Sequence, residues 1–334
     1  MSIVITEGGA TSVISLPAEA ETKPLKVLVT GGGGMLARAI ATEVRNDRHP
    51  HLKVTFAHRS AADLTSPAET ARLVARTSPD VIVHCAAKVG GIKANAADQT
   101  GFLMDNIAID SAVFRAAMRL GIHRLVYLGS SCTYPRNHRQ PLVETDLLQA
   151  PLEPTNEGYA LAKLAGTRLC QFASQERGLA YRAVVASNLY GPGDHFEGDR
   201  AHLVAAALSK VHAAHRRGDP TVTVWGDGTA RREFTYVGDL ARWIVQSLHR
   251  LDEMPPVLNA GAGTDHSVTE YYEAARAVIG YEGSFVYDTT APSGMHQKLM
   301  DSRPAQRFGW NPTTTLEDGM RATYEHFLGA AVTA

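Results

Sequence analysis

Tyr159 and Lys163 stand four residues apart in the run Tyr-Ala-Leu-Ala-Lys. On a helix this spacing puts both side chains on one face, about one turn apart. An ammonium beside a phenol favours the phenolate, so the pair predicts a Tyr159 pKa below its ordinary value of about 10. Such a tyrosine can hand a proton to an alkoxide formed by hydride addition. The same spacing also occurs on many solvated helix faces, so its company matters. Ser130 closes an apolar run at residues 124–128 (RLVYL). The end of such a strand is where a doubly wound sheet carries its ligand crevice. Its hydroxyl could bond the substrate oxygen that Tyr159 protonates. Cys132 comes two residues later. If residues 130–132 are extended, Ser130 and Cys132 face one way and Ser131 the other. A thiol there suggests a second chemistry, removal of a proton beside a carbonyl. The alternative is a small buried hydrophobe, the usual fate of a free cysteine.

A hydride chemistry needs a dinucleotide. Residues 30–37 (TGGGGMLA) fit the pattern TGxxGxxA. Gly31 serves the tight turn and Gly34 the close approach of a pyrophosphate. Ala37 lets the helix pack on the strand, and the N–H groups around Met35 and Leu36 face the anion. A glycine-rich turn without a ligand is the plain alternative. The loop follows a strand and opens a helix, which is the context the dinucleotide reading requires. No Gly-Lys-Ser/Thr follows, so it is not a nucleoside-triphosphate loop of the Walker type. The second strand ends in Ala57-His58-Arg59-Ser60, with no acid for a ribose 2′-hydroxyl. Arg59 could grip a 2′-phosphate through two N–H groups, which favours NADP(H) over NAD. A solvated surface arginine is the other reading.

Elements that could position these residues alternate along the first half. Strand-like runs lie at 26–30, 53–57, 81–84 and 124–128, with helical spacing at 35–44, 67–78 and 102–120. That alternation predicts an α/β fold, a doubly wound parallel sheet of the Rossmann type. After about Tyr190 the pattern breaks into Gly/Pro turns and mixed pieces. It resumes at 257–259, and a last helix is expected at 316–328. The expected division is a flexible tail at 1–24, an NADP-binding domain at 25–190, and a smaller substrate-binding lobe at 191–334 interwoven with it. The 334 residues suit two such units. Hydrophobic residues make up 44% and charged residues 20%, as in ordinary globular proteins. Lys plus Arg is 33 against Asp plus Glu 34, which gives no basic excess for nucleic acid. No apolar run is long enough to span a membrane. The residues at the N-terminus do not read as a secretory signal. Cys85, Cys132 and Cys170 form no CxxC, and the 14 histidines show no metal-ligand spacing. A reducing, cytoplasmic setting without a metal is the expectation.

The chain resembles the extended short-chain dehydrogenase/reductase family, in particular its sugar-nucleotide 3,5-epimerase/4-reductases. The resemblance rests on residues 86–92 (AAKVGGI) with Ala94-Asn95, on 128–135 (LGSSCTYP) and on 152–159 (LEPTNEGY). It also rests on 188–192 (NLYGP), 224–226 (VWG) and 232–234 (REF). It implies NADP(H) and a nucleotide-sugar substrate, GDP- or dTDP-linked. Tyr159 would protonate the C4 oxygen, Lys163 would hold the nicotinamide ribose, and Ser130 would polarise the keto group. Cys132 would be the base at C3 and C5, and His202 the matching acid. Ala86, Ala87, Ser187, Asn188 and His202 would lie along the cofactor. Lys210, Trp225, Arg232 and Lys298 would meet the substrate and its diphosphate. A homodimer, through helices flanking the sheet, is implied too. The chain departs from the subgroup where Pro-Thr-Asn becomes Ala186-Ser187-Asn188 and where Pro-Asp-Gly becomes Pro292-Ser293-Gly294. It also departs at His202-Leu203-Val204-Ala205, in place of His-Val-Ile-Pro. A sugar-nucleotide 4-epimerase or dehydratase, and a non-catalytic dinucleotide binder, are the competing functions. Cys132-Thr133 in place of Asp-Glu argues against dehydration. The intact Tyr159/Lys163 pair argues against a non-catalytic protein.

Overall fold

The computed structural model describes residues 2–7, 10–15, 23–45, 49–196, 201–290 and 295–332. Composition predicts a flexible tail for residues 1–24. Within it, β1 (Ser2–Glu7) and β2 (Ala10–Ser15) pair antiparallel with each other, Ser2 opposite Ser15. Both strands are rich in the β-branched Ile, Val and Thr that suit a ribbon. The rest of that segment, residues 1, 8–9 and 16–22, lies outside the described residues.

The next elements are β3 (Leu25–Thr30), α1 (Met35–Arg45), β4 (Leu52–Ala57), α2 (Pro67–Thr77) and β5 (Val81–His84). After them come α3 (Ile92–Ala97), α4 (Gln99–Arg119), β6 (Arg124–Ser130), α5 (Glu157–Arg177) and β7 (Ala180–Ala186). β3 and β5, in the middle of the sheet, are apolar runs because both faces are covered, whereas edge strand β4 exposes Lys53 and Thr55. Val27 and Val29 join the core under α1, whereas Leu28 joins the core on the α4 side. Ser66 caps α2 by accepting the Glu69 N–H, with Pro67 in the first turn.

The second half holds β8 (Asn188–Tyr190), α6 (Leu203–Arg217), β9 (Thr221–Trp225), β10 (Arg231–Arg232), β11 (Phe234–Tyr236) and α7 (Val237–Ser247). It continues with β12 (Val257–Ala260), β13 (His266–Ser267), α8 (Val268–Ile279), β14 (Ser284–Asp288), α9 (Arg303–Gln306) and α10 (Leu316–Val332). The main sheet is six-stranded and parallel, in the order β12-β7-β6-β5-β3-β4. From β3 the chain goes to one side and then crosses to the other, so β3 and β5 bound the switch point where such sheets bind ligands. β7, unmarked in the sequence pattern, fills the place beside β6. β12 returns from the second half to the sheet edge, and α7 packs on α1 through Val237, Leu240 and Ile244. β8, α6, β9, β11, α8 and α10 build a separate core around Leu208, Val211, Val224 and Tyr271.

Glu233 ties that lobe to the sheet. It is 2% exposed, and its carboxylate accepts the Gly263 N–H at 2.8 Å and the Met300 N–H at 3.1 Å. Burial pushes its pKa from 4.5 up to about 7, against the pull of those two bonds. The folded chain therefore binds a proton that the unfolded chain has lost. Its contribution to stability is present below pH 4.5 and falls away as pH rises through about 7. Melting temperatures between pH 4.5 and 8 will test this. Glu233→Gln should gain on the wild type steadily across that range, and parallel curves would contradict it.

Candidate active site

The nucleotide end of the cleft is built from strand ends. Gly31 has φ +70°, and a Cβ there would come within 2.8 Å of the Ala86 backbone. The loops after β3 and β5 thus touch, and only glycine fits between them. The Gly34 N–H closes the turn on the Gly31 carbonyl at 2.8 Å. Met35 and Leu36 open α1, and Ala37 is fully buried against the sheet. Ala86 donates its N–H to Thr30 Oγ1 at 3.3 Å, and Ala87 follows it. Arg59 is exposed just beyond β4. Ser187 follows β7 and shares a 2.7 Å hydrogen bond with Thr235, and Asn188 opens β8. These ten sequence-named positions therefore sit at or just beyond the carboxyl ends of β3, β4, β5 and β7. The close turn and exposed arginine suit a dinucleotide bearing a 2′-phosphate.

Ser130 and Tyr159 meet at the end of β6, with Lys163 one turn farther along α5. The strand stops at Ser130, and residues 131–133 form a single tight helical turn capped by Ser130, whose Oγ accepts the Cys132 N–H at 3.2 Å. The extended geometry supposed for 130–132 is thereby corrected. Ser130 and Cys132 do reach the same phenol, but by a turn and not by strand alternation. The start of α5 is stapled to α4. Gln99 accepts the Gly158 N–H at 2.7 Å and donates to the Pro154 carbonyl at 2.6 Å, which aims Tyr159 at Ser130. Gln99 was invisible to motif reading, since nothing local marks it.

The expected lowering of Tyr159 is also corrected. Burial raises its pKa and Cys132 adds to the rise, while the hydrogen bond with Ser130 opposes it. Lys163 is turned elsewhere. It is 2% exposed, donates to the Leu128 carbonyl at 3.1 Å and lies over the Tyr127 ring at 4.6 Å. Burial lowers its own pKa, and the charge of Asp110 resists this.

Cys132 is held by two donors. Asn156 Nδ2 reaches its Sγ at 3.2 Å and Lys298 Nζ at 3.8 Å. Asn156 Oδ1 is buried without a protein partner, an acceptor available to a polar ligand. Its only sequence sign was its place in the PTNEGY run. His202 precedes α6. Burial lowers its pKa, helped by the charges of His195 and Lys298. Lys298 thus acts on both Cys132 and His202.

Farther along the cleft, Trp225 is 45% exposed and has Lys93 at 4.5 Å and Lys210 at 4.8 Å from its ring centre. Lys93, from α3, was missed in the sequence although it sits in the GGIKAN stretch. Burial lowers the Lys210 pKa, and Lys93 adds to it. Arg232 lies in β10, its pKa lowered by burial and supported by the charge of Glu153. The Pro292-Ser293-Gly294 departure lies outside the described residues. Among the described residues no cluster of His, Cys, Asp and Glu is arranged to hold a metal, and no helix is long and apolar enough to cross a membrane.

Residues 27–261 match the NAD dependent epimerase/dehydratase family. The chain belongs to that family of nucleotide-binding α/β proteins. It is 41% identical to the GDP-L-fucose synthase of Azorhizobium caulinodans, over 92% of this chain and 97% of that protein. It is 36% identical to the GDP-L-colitose synthase of Yersinia pseudotuberculosis, over 91% of this chain and 98% of that one. Among solved structures, the GDP-mannoheptose C4 reductase of Campylobacter jejuni with NADP bound superposes with a TM-score of 0.82 at 26% identity, covering 92% of this chain and 99% of that one.

The packing under Lys163 can be checked directly. A Cβ on Gly166 of α5 would lie 2.3 Å from Cζ of Tyr127. Gly166→Ala should destabilise the fold by about 1–3 kcal/mol through overpacking, read from urea denaturation. An unchanged midpoint would mean that Tyr127 is not seated as described.

Proposed function

We propose that this chain is an NADPH-dependent reductase of a GDP-linked 4-keto-6-deoxyhexose that also inverts carbons beside the keto group. The observation that carries the reading is the meeting of Ser130 with Tyr159 beside Cys132 and one helical turn from Lys163. The printed activities of the relatives favour GDP over dTDP. NADPH, when bound, supplies the hydride to C4 of the sugar. Gly31, Gly34, Met35, Leu36, Ala86, Ala87, Ser187 and Asn188 would line its path, and Arg59 would take the 2′-phosphate.

The side chains move the protons. Ser130 donates to the C4 keto oxygen and holds it beside Tyr159. Because burial raises Tyr159, the phenol is fully protonated at neutral pH and ready to give its proton to the C4 alkoxide. Lys163 supplies positive charge and a donor for the ribose. For inversion, Cys132 takes a proton from the carbon next to the carbonyl, with Asn156 and Lys298 donating to its sulfur. His202 would return a proton to the opposite face; its lowered pKa makes the imidazolium a stronger acid but a smaller fraction of the enzyme at neutral pH. Lys210, Trp225 and Arg232 would bind the nucleoside diphosphate, where a ring and cations suit a base and phosphates. A homodimer in the cytoplasm belongs to the same reading. It is supported by exposed Met104, Ile107, Leu161 and Phe172 on α4 and α5.

NADPH oxidation with GDP-4-keto-6-deoxymannose should far exceed that with dTDP-4-keto-6-deoxyglucose, and the reverse order would overturn the GDP assignment. Tyr159→Phe should lower kcat by about 10²–10⁴-fold, the usual worth of a general acid. Near-normal turnover would remove Tyr159 from the reaction. In deuterated water the product should carry label at C3 or C5, and Cys132→Ser should suppress it. An unlabelled wild-type product would mean reduction alone. Arg59→Ala should raise KM for NADPH while leaving KM for NADH nearly unchanged.

A further inference from the structure

Beneath the reaction centre runs a chain of buried polar groups that the proposed chemistry does not use. Asp110, on α4, is 3% exposed. One carboxylate oxygen meets His84 Nε2 at 3.0 Å, and the other accepts the Tyr127 hydroxyl at 2.6 Å. His84 is fully buried, and its Nδ1 lies 2.7 Å from Thr30 Oγ1. Thr30 Oγ1 in turn accepts the Ala86 N–H. One direction of donation satisfies every member. Thr30 donates to Nδ1, Nε2–H donates to Asp110, and Tyr127 donates to Asp110. In that arrangement the Asp110 carboxylate accepts from both His84 and Tyr127.

Lys163 and this carboxylate both contact Tyr127. The Lys163 ammonium rests on the ring face, while the ring's hydroxyl donates to Asp110. A phenol that donates to a carboxylate has a more electron-rich ring, which strengthens the attraction for a cation on its face. A buried ammonium is costly without a compensating charge. The titratable groups around Lys163 are Tyr127 on β6, Cys85 after β5, His84 on β5, Asp110 on α4, and Tyr159 and Cys170 on α5. Of these, Asp110 is the carboxylate. Gly166 on α5 leaves the room in which Tyr127 fits.

We propose that Asp110, gripped by His84 and Tyr127, is the buried countercharge of Lys163 and so a positioning residue for the reaction. It keeps the ammonium charged and seated on the Tyr127 ring, one helical turn from Tyr159. The inference rests on the reading of Lys163 as part of the reaction centre.

The full chain labelled with [13C]lysine allows the Lys163 Cε signal, assigned with Lys163→Arg, to be followed by NMR against pH without any substrate. In the wild type, Lys163 should remain an ammonium through pH 8. In Asp110→Asn its midpoint should fall by about 1–3 pH units, the range for loss of a close opposite charge. Asp110→Glu, which restores the charge, should recover most of that shift. The alkaline limb of kcat for NADPH oxidation with GDP-4-keto-6-deoxymannose should move down by the same amount in Asp110→Asn. An unchanged midpoint in folded Asp110→Asn would overturn the proposal. A neutral Lys163 in the wild type at pH 7 would overturn it too, and this decides the matter if Asp110→Asn does not fold. A wild type that turns over no sugar nucleotide would sink the functional reading alone, because the NMR arm needs no substrate.

Discussion

Lys163 is buried between β6 and α5, 2% exposed, and much of the surrounding architecture answers to it. A charge removed from water must find donors, acceptors or an opposite charge nearby. Here the Leu128 carbonyl, the Tyr127 ring and the charge of Asp110 surround it. Those partners come from β6 and α4, so the sheet and two helices must be in register before Lys163 is satisfied. Tyr159 shares the helix and is locked into the same register. Burial that strains Lys163 also keeps the Tyr159 phenol protonated. One environment thus prepares a cation and a proton donor side by side.

The chemistry beside this pair is assembled from both halves of the chain. Cys132 belongs to the turn after β6, whereas Lys298 and His202 come from the second half. Trp225 likewise takes one lysine from α3 and another from α6. The lobes are joined by β12 and α7, which return to the nucleotide-binding layer, and by Glu233, which holds the loops around Gly263 and Met300. A near-neutral chain, with formal net charge −1, can still concentrate cations where a diphosphate would lie.

Much of the fold was legible because strand and helix periods are local properties. β3, β4, β5 and β6, with α1, α2 and α4, appear within a few residues of their expected bounds. β7 was missed, since Tyr181 and Arg182 interrupt the apolar run of AYRAVVA, although Gly178, the left-handed cap of α5, stands just before it. The small sheets of the second half, such as β8 with β11 and β9 with β14, pair segments tens of residues apart and leave no local pattern.

The site divides in the same way. The amino-acid sequence by itself determined the glycine turn, the Tyr159/Lys163 spacing and the serine and thiol after β6. Each depends on neighbours within one turn or one loop. Tertiary structure alone decided which groups surround them. Packing raised the Tyr159 pKa where local spacing predicted a fall, because burial of the phenol, with Cys132 beside it, dominates, while Lys163 turns to Leu128 and Tyr127. It also brought Lys298 and Asn156 to Cys132, and His84 and Asp110 under Lys163. Charge, burial and hydrogen bonding act through space, so residues 24 to 166 apart in the chain share one environment.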